Sequence, residues 1–117
     1  MKYQFIERLK KAGIEYQNPK YGLRILNNIY TKSGYTLSIQ CSRYHYCFPK
    51  EFRNIEDYSA YEVSISKNGR FIYPEKLKQF KRKKELDECA EGIGLYSQPY
   101  VRVPIDLVED LYIYLNS

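Results

Sequence analysis

From Tyr35 to Ser42 the chain alternates without a break. Tyr35, Leu37, Ile39 and Cys41 take the odd positions, and Thr36, Ser38, Gln40 and Ser42 the even ones. A period of two marks a strand with one dry and one wet face, so a strand is predicted over 35–42. Cys41 falls in the dry row, where a free cysteine packs as a small hydrophobe. A second alternation, Tyr61, Val63 and Ile65 against Glu62, Ser64 and Ser66, runs on toward Asn68-Gly69. That dipeptide supplies the two positive φ angles of a type I′ turn and predicts a hairpin over 60–73. With Asn68 and Gly69 at the tip, Ile65 pairs with Ile72, Ser66 with Phe71 and Lys67 with Arg70. The last pair sets two cations opposite each other, which is mildly unfavourable.

Helical spacing dominates both termini. Phe5, Ile6 and Leu9, extended by Ala12 and stopped by Gly13, predict an amphipathic helix over 2–12 with Lys2, Arg8, Lys10 and Lys11 on its outer face. Pro104, the acids Asp106, Glu109 and Asp110, and apolar Ile105, Val108, Leu111, Tyr112 and Leu115 predict a last helix with Pro104 in its first turn. A middle helix is predicted from Pro74 through 75–84, anchored only by Leu77 and Phe80. Acids at Glu85, Asp87, Glu88 and Glu91 oppose its dipole, so it should weaken before Gly92.

Residues 21–30 fit two patterns. Leu23, Ile25 and Ile29 alternate as in a strand, while Leu23, Leu26 and Tyr30 suit a helix. A strand is preferred because Thr31-Lys32-Ser33-Gly34 is turn-like and a clear strand follows. Asn18-Pro19 marks a turn, Pro49 ends regular pairing, 49–57 reads as a charged loop, Gly92 and Gly94 mark another, and Tyr100–Val103 is a short strand. Together these predict one α+β domain over 1–117: a small antiparallel sheet of four to five strands, with N-terminal, middle and C-terminal helices packed on one face.

Composition adds a surface to this scaffold. Fourteen of the 117 residues are tyrosine, none is tryptophan, and the net charge is +5. A tyrosine carries an apolar ring with a polar tip and suits a surface that meets a partner. A basic balance attracts nucleic acid and acidic surfaces. No apolar run approaches the ~18 residues of a membrane helix, and the start of the chain lacks a signal peptide's apolar stretch. The three cysteines form no C-x-x-C pair, so free thiols in a reducing cytoplasm are expected.

Catalytic chemistry finds little support. Cys41, His45 and Cys47, with Cys89 as a fourth ligand, invite a metal reading. Spacings of four and two on one continuous strand are nevertheless unlike the tight-turn pairs of structural zinc sites. His45 is the only histidine, and no orienting acid or oxyanion site can be assigned to a Cys–His pair. Glu56-Asp57 and Glu109-Asp110 read as a charged loop and a solvated helix face. Neither phosphate-binding glycine motif nor H-E-x-x-H occurs, and Gly92-Ile93-Gly94 carries no weight. No catalytic residue, metal or cofactor is assigned.

Two regions suit contact. Lys76, Lys78, Lys81, Arg82, Lys83 and Lys84 place six cations in nine residues. Their mutual repulsion is offset either by an anionic partner or by the acids at 85–91. Arg43, Tyr44, Tyr46, Phe48 and Lys50 interleave rings with cations, a composition shared by base-stacking surfaces and protein-binding hot spots. Lys67 and Arg70 add a cationic hairpin tip. The partner-binding candidates are therefore Arg43, Tyr44, Tyr46, Lys67, Arg70, Lys76, Lys78, Lys81, Arg82, Lys83 and Lys84. The partner expected is a protein or ribonucleoprotein complex, with direct nucleic-acid binding as the alternative.

The stretch Tyr35-Thr36-Leu37-Ser38-Ile39-Gln40-Cys41-Ser42-Arg43-Tyr44-His45-Tyr46-Cys47-Phe48-Pro49, followed by Tyr61-Glu62-Val63-Ser64-Ile65, resembles small proteins of bacteriophages and other bacterial mobile elements. It carries over no functional residue. What the resemblance implies is a class: non-enzymatic, stoichiometric inhibitors of host defence, of the anti-CRISPR or anti-restriction type.

Overall fold

Two central strands organise the molecule. The computed structural model describes residues 2–90 and 98–117. β1 (Ile14–Asn18) and β2 (Leu23–Leu26) form a two-stranded antiparallel ribbon. β3 (Ile29–Tyr30), β4 (Thr36–Gln40), β5 (Ala60–Lys67) and β6 (Arg70–Phe71) follow one another across an antiparallel sheet. β7 (Tyr100–Pro104) joins the same sheet by pairing with β5. The helices are α1 (Gln4–Ala12), α2 (Lys83–Glu88) and α3 (Ile105–Leu115).

The alternation along β4 and β5 becomes the division between core and surface. Leu37 pairs with Ile65 and Ile39 with Val63, and all four are fully buried. The same dry face receives Leu107, Val108, Leu111 and Leu115 of α3 and Phe5, Ile6 and Leu9 of α1. Phe5 meets Tyr61 edge to face at 5.3 Å, a favourable ring geometry. Glu109 of α3 accepts from the Gln4 and Phe5 backbone N–H groups at 2.9 and 3.1 Å. A carboxylate thus satisfies the open donors at the positive end of α1 and locks the two helices together. The hairpin forms in the expected register, with Ser66 opposite Phe71, Lys67 opposite Arg70, and positive φ at Asn68 and Gly69.

Four local expectations change. First, residues 21–30 form two strands broken at Asn27-Asn28, and β2 presents Arg24 and Leu26 inward, with Leu23 and Ile25 half-buried. Second, β4 ends at Gln40, and the even positions Gln40 and Ser42, expected to be wet, are buried. Gln40 lends its amide to the Leu26 peptide group, accepting from its N–H at 2.8 Å and donating to its C=O at 3.0 Å. The side chain thereby docks the β1–β2 ribbon as a further strand would. Third, the helix over 75–84 does not form. Pro74–Lys76 is a single 3-10 turn, Gln79 is left-handed at φ 67°, and α2 begins only at Lys83. Leu77 and Phe80 make too narrow an apolar stripe to hold a helix against six repelling cations, and each enters the core from irregular chain. Fourth, Pro104 ends β7 and caps α3 rather than opening its first turn. The loop predicted at Gly92 and Gly94 lies outside the described residues. No described helix is long and apolar enough to cross a membrane.

Candidate binding face

The aromatic segment after β4 is aimed by its backbone. Beyond Gln40 the chain turns at Ser42–His45 and crosses the polar face of β5. The Tyr46 N–H donates to the Glu62 carboxylate at 2.9 Å, and the Tyr46 C=O accepts from the Arg102 N–H at 2.9 Å. Glu62 alternates with the core residues Tyr61 and Val63, so this crossing lies on the side of the sheet away from α3. Phe48 then bridges Ala60 and continues the column that β4 began. The partner strand helps: β7 bulges between its pairings with Tyr61 and Val63, and Arg102 sits there at φ 47°, an uncommon conformation for a non-glycine residue. Bulges re-aim side chains, and this one brings the Arg102 guanidinium to 5.6 Å from the Tyr46 ring centre. Lys50 Nζ stands 5.1 Å from the same ring and donates to the His45 carbonyl. Tyr46 therefore has two cations within 6 Å of its ring centre and is 42 % exposed, with Tyr44 at 62 % and Phe48 at 60 % nearby in the chain.

Beside these rings a cleft of about 460 Å³ opens between the β1–β2 turn and residues 50–52, lined by Pro19, Lys20, Gly22, Arg43, Lys50, Glu51 and Phe52. The turn and the segment after β4 are joined by the Arg43 N–H donating to the Gly22 carbonyl at 2.9 Å. Gly22 is at φ 73°, and a Cβ there would stand 3.0 Å from Arg43 Cβ, so glycine alone permits the close approach. Glu51 is the one acid of the lining, and it is engaged by Arg53 through Nη2 at 2.8 Å and Nε at 3.3 Å. Beneath lies Arg24, only 4 % exposed. Its Nη2 donates to the carbonyls of Cys41 at 2.9 Å and Arg53 at 2.8 Å, its guanidinium carbon is 4.7 Å from the Phe52 ring centre, and its buried Nε has no partner. It forms no ion pair among the described residues; Glu56 acts on it only at longer range.

The remaining candidates lie elsewhere. Lys67 is on the core-side row of β5, five residues beyond Glu62 and thus about 17 Å along the strand; its Nζ covers the Tyr35 ring at 4.8 Å, and Arg70 is opposite it. The basic run packs along α3, on the other side of the sheet from Tyr46. The Tyr114 hydroxyl donates to the Lys78 carbonyl, and Phe80 meets the Tyr114 ring at 5.1 Å. Arg82 is taken up structurally: it bonds Glu85, Asp106 and Asp110 at 2.7, 3.0 and 2.8 Å. Lys76, Lys78, Lys81, Lys83 and Lys84 form no ion pair among the described residues. Eleven candidates thus divide between two sides of the molecule, and only Arg43, Tyr44 and Tyr46 share the face with exposed rings. Lys20, Arg24 and Arg102 belong to that face and are not among the candidates that sequence suggests. Lys20 precedes an aromatic, and an arginine inside an apolar alternation marks Arg24, but nothing local marks Arg102, which a bulge delivers.

Hydrogen bonds tie the cysteine–histidine segment together. Ser42 Oγ and His45 Nδ1 are 2.7 Å apart, the Tyr44 N–H donates to Ser42 Oγ, and Cys47 Sγ donates to the Ser42 carbonyl. Cys41 and Cys47 are fully buried, and burial pushes the Cys41 thiol up to about 12 and the Cys47 thiol up as well. Both sulfurs are closed to solvent and held toward the thiol form. Burial, joined by the nearby Arg24 and Lys50 charges, holds His45 below its usual range against the opposing pull of Glu62. No group of three or more His, Cys, Asp or Glu side chains among the described residues is arranged to hold a metal. Comparison of the chain with protein-family models, curated proteins and solved structures finds no match.

Proposed function

We propose that this protein works by binding rather than by catalysis, through the face around Tyr46, and that its partner is an anionic macromolecular surface, foremost the exposed nucleic acid of a nucleoprotein complex. One observation carries the reading: a half-exposed tyrosine with Lys50 and Arg102 both close to its ring, two further exposed rings, and no carboxylate paired to those cations among the described residues. Rings offer stacking area at small entropic cost, and unpaired cations steer an acidic partner onto them. A stoichiometric inhibitor of a host defence complex, the class suggested by the resemblance to mobile-element proteins, is one role such a face serves.

The test is capture of the partner from a bacterial lysate, with and without nuclease. The Tyr46→Ala/Arg102→Ala variant is expected to lose the partner while Lys78→Glu/Lys81→Glu/Lys84→Glu keeps it. The opposite pattern would move the interface to the far side of the sheet.

A further inference from the structure

We propose that the cleft between the β1–β2 turn and residues 50–52 is a phosphate site, and that the phosphate belongs to a single-stranded nucleic acid whose bases stack on the neighbouring rings. The proposal deepens the reading of the Tyr46 face and rests on it. Lys20, Arg43 and Lys50 line this opening, and the acid that shares it is already bound to Arg53. Under the Phe52 wall lies a guanidinium that donates to two carbonyls and forms no ion pair among the described residues, with Glu56 acting only at longer range. Burying an ion without a counterion is costly. An anion in the cleft would stand above that charge, separated from it by little more than an aromatic ring, and the low dielectric between them would strengthen the attraction. The Arg24 Nε, buried and without a hydrogen-bond partner among the described residues, adds an unmet donor beside that charge. The cleft is also continuous with the rings: Lys50 lines it and stands over Tyr46. A backbone phosphate at the cations beside bases on the rings is how small single-strand binders divide the work.

The experiment follows fluorescence anisotropy of a labelled oligothymidine of about ten nucleotides, within the footprint of such proteins. It uses the wild type, Tyr46→Ala, Lys20→Glu/Arg43→Glu, the milder Arg43→Gln, and Lys84→Glu. Retention of the wild-type circular dichroism and urea midpoint certifies the fold of each, and Arg43→Gln stands in if the double reversal does not fold. The double variant is expected to bind at least tenfold more weakly, with a logarithmic salt slope smaller by about 0.7 for each phosphate it no longer neutralises. Lys84→Glu should bind as the wild type does. Inorganic phosphate and a mononucleotide should compete only at far higher concentrations than unlabelled oligonucleotide.

An oligonucleotide that fails to bind, while a nuclease-resistant partner is still captured through Tyr46, overturns the phosphate site and leaves the face, with a protein as its partner. Oligonucleotide binding that needs Tyr46 but survives the cleft variants overturns the site in the same way. A mononucleotide or a duplex bound as tightly as the single strand overturns the strand assignment. Indifference of every ligand and of partner capture to both Tyr46 and the cleft brings down the face as well.

Discussion

Replacing Arg24 by methionine tests whether the buried guanidinium is held by the structure or merely tolerated. Methionine keeps much of the stem volume and removes the charge, both carbonyl hydrogen bonds and the stacking on Phe52. Two effects compete. Relief of a desolvated ion favours the variant, and replacing buried ionic groups by apolar ones is sometimes stabilising. Against it, Cys41 C=O lies in the core and is deprived of its charged donor, at about 1–3 kcal/mol for an acceptor left dry. The Arg53 carbonyl is nearer water and recovers part of its loss. Stacking on Phe52 adds about 1–2 kcal/mol to what is forfeited. Because the net worth of charged hydrogen bonds already includes desolvation, the sum is a destabilisation of about 2–4 kcal/mol. That is a large share of the ~5–15 kcal/mol that holds an ordinary domain together. The assay is urea unfolding followed by circular dichroism. With a slope of about 1.5 kcal/mol per molar urea the midpoint should fall by roughly 1.5–2.5 M. An unchanged or raised midpoint would refute the reasoning, because it would mean that the two carbonyls find water and the cation is a net burden. The phosphate proposal would then lose its explanation for why the cation is kept, though not its cleft.

Other consequences follow from single interactions. Gly22→Ala forces a left-handed alanine against Arg43 Cβ and should cost about 1–2 kcal/mol, read as a lower thermal midpoint; a neutral result would show that the turn relaxes freely. Arg82→Ala removes two long-range ion pairs to half-exposed aspartates of α3 and should cost about 1 kcal/mol, shrinking in high salt, whereas Lys81→Ala should be silent in the same melt. His45 is held below its ordinary value of 6.5, so the unfolded chain binds the more protons as pH falls through that value. Stability is therefore full above pH 6.5 and declines below it, before the carboxylates titrate. His45→Gln should flatten the urea midpoint between pH 6.5 and 5, and an equally steep decline in that variant would remove His45 as the cause.

What is legible in the chain is local. β4, β5 and their hairpin are readable because each strand buries one face only, so alternation survives in the sequence. Both terminal helices are readable because their stripes are wide and their ends are marked by Gly13 and Pro104. The middle segment misleads because its two apolar anchors imitate helical spacing. Leu77 and Phe80 are three residues apart as on a helix, but the left-handed Gln79 lies between them, and the helix begins only at Lys83, where Leu86 gives it a buried anchor. The even positions Gln40 and Ser42 mislead for another reason. Polarity predicts water only where no backbone needs a partner, and here the edge of β2 needs one, which Gln40 supplies.

The candidate face escapes the sequence because its parts are assembled by long-range geometry. A run of six cations looks like the centre of recognition, yet the fold uses one of them, Arg82, as a clamp on α3 and leaves the others on the helix side of the sheet. Around Tyr46 the cations come one at a time from separate segments: Lys20 from a turn, Arg24 from a strand, Lys50 after a proline, Arg102 from a bulge. None stands out from its neighbours in the chain. Charge density along a sequence measures repulsion within a segment, which the fold is driven to relieve. Charge density across a surface measures what the fold has left unrelieved, and the second quantity is the one a partner meets.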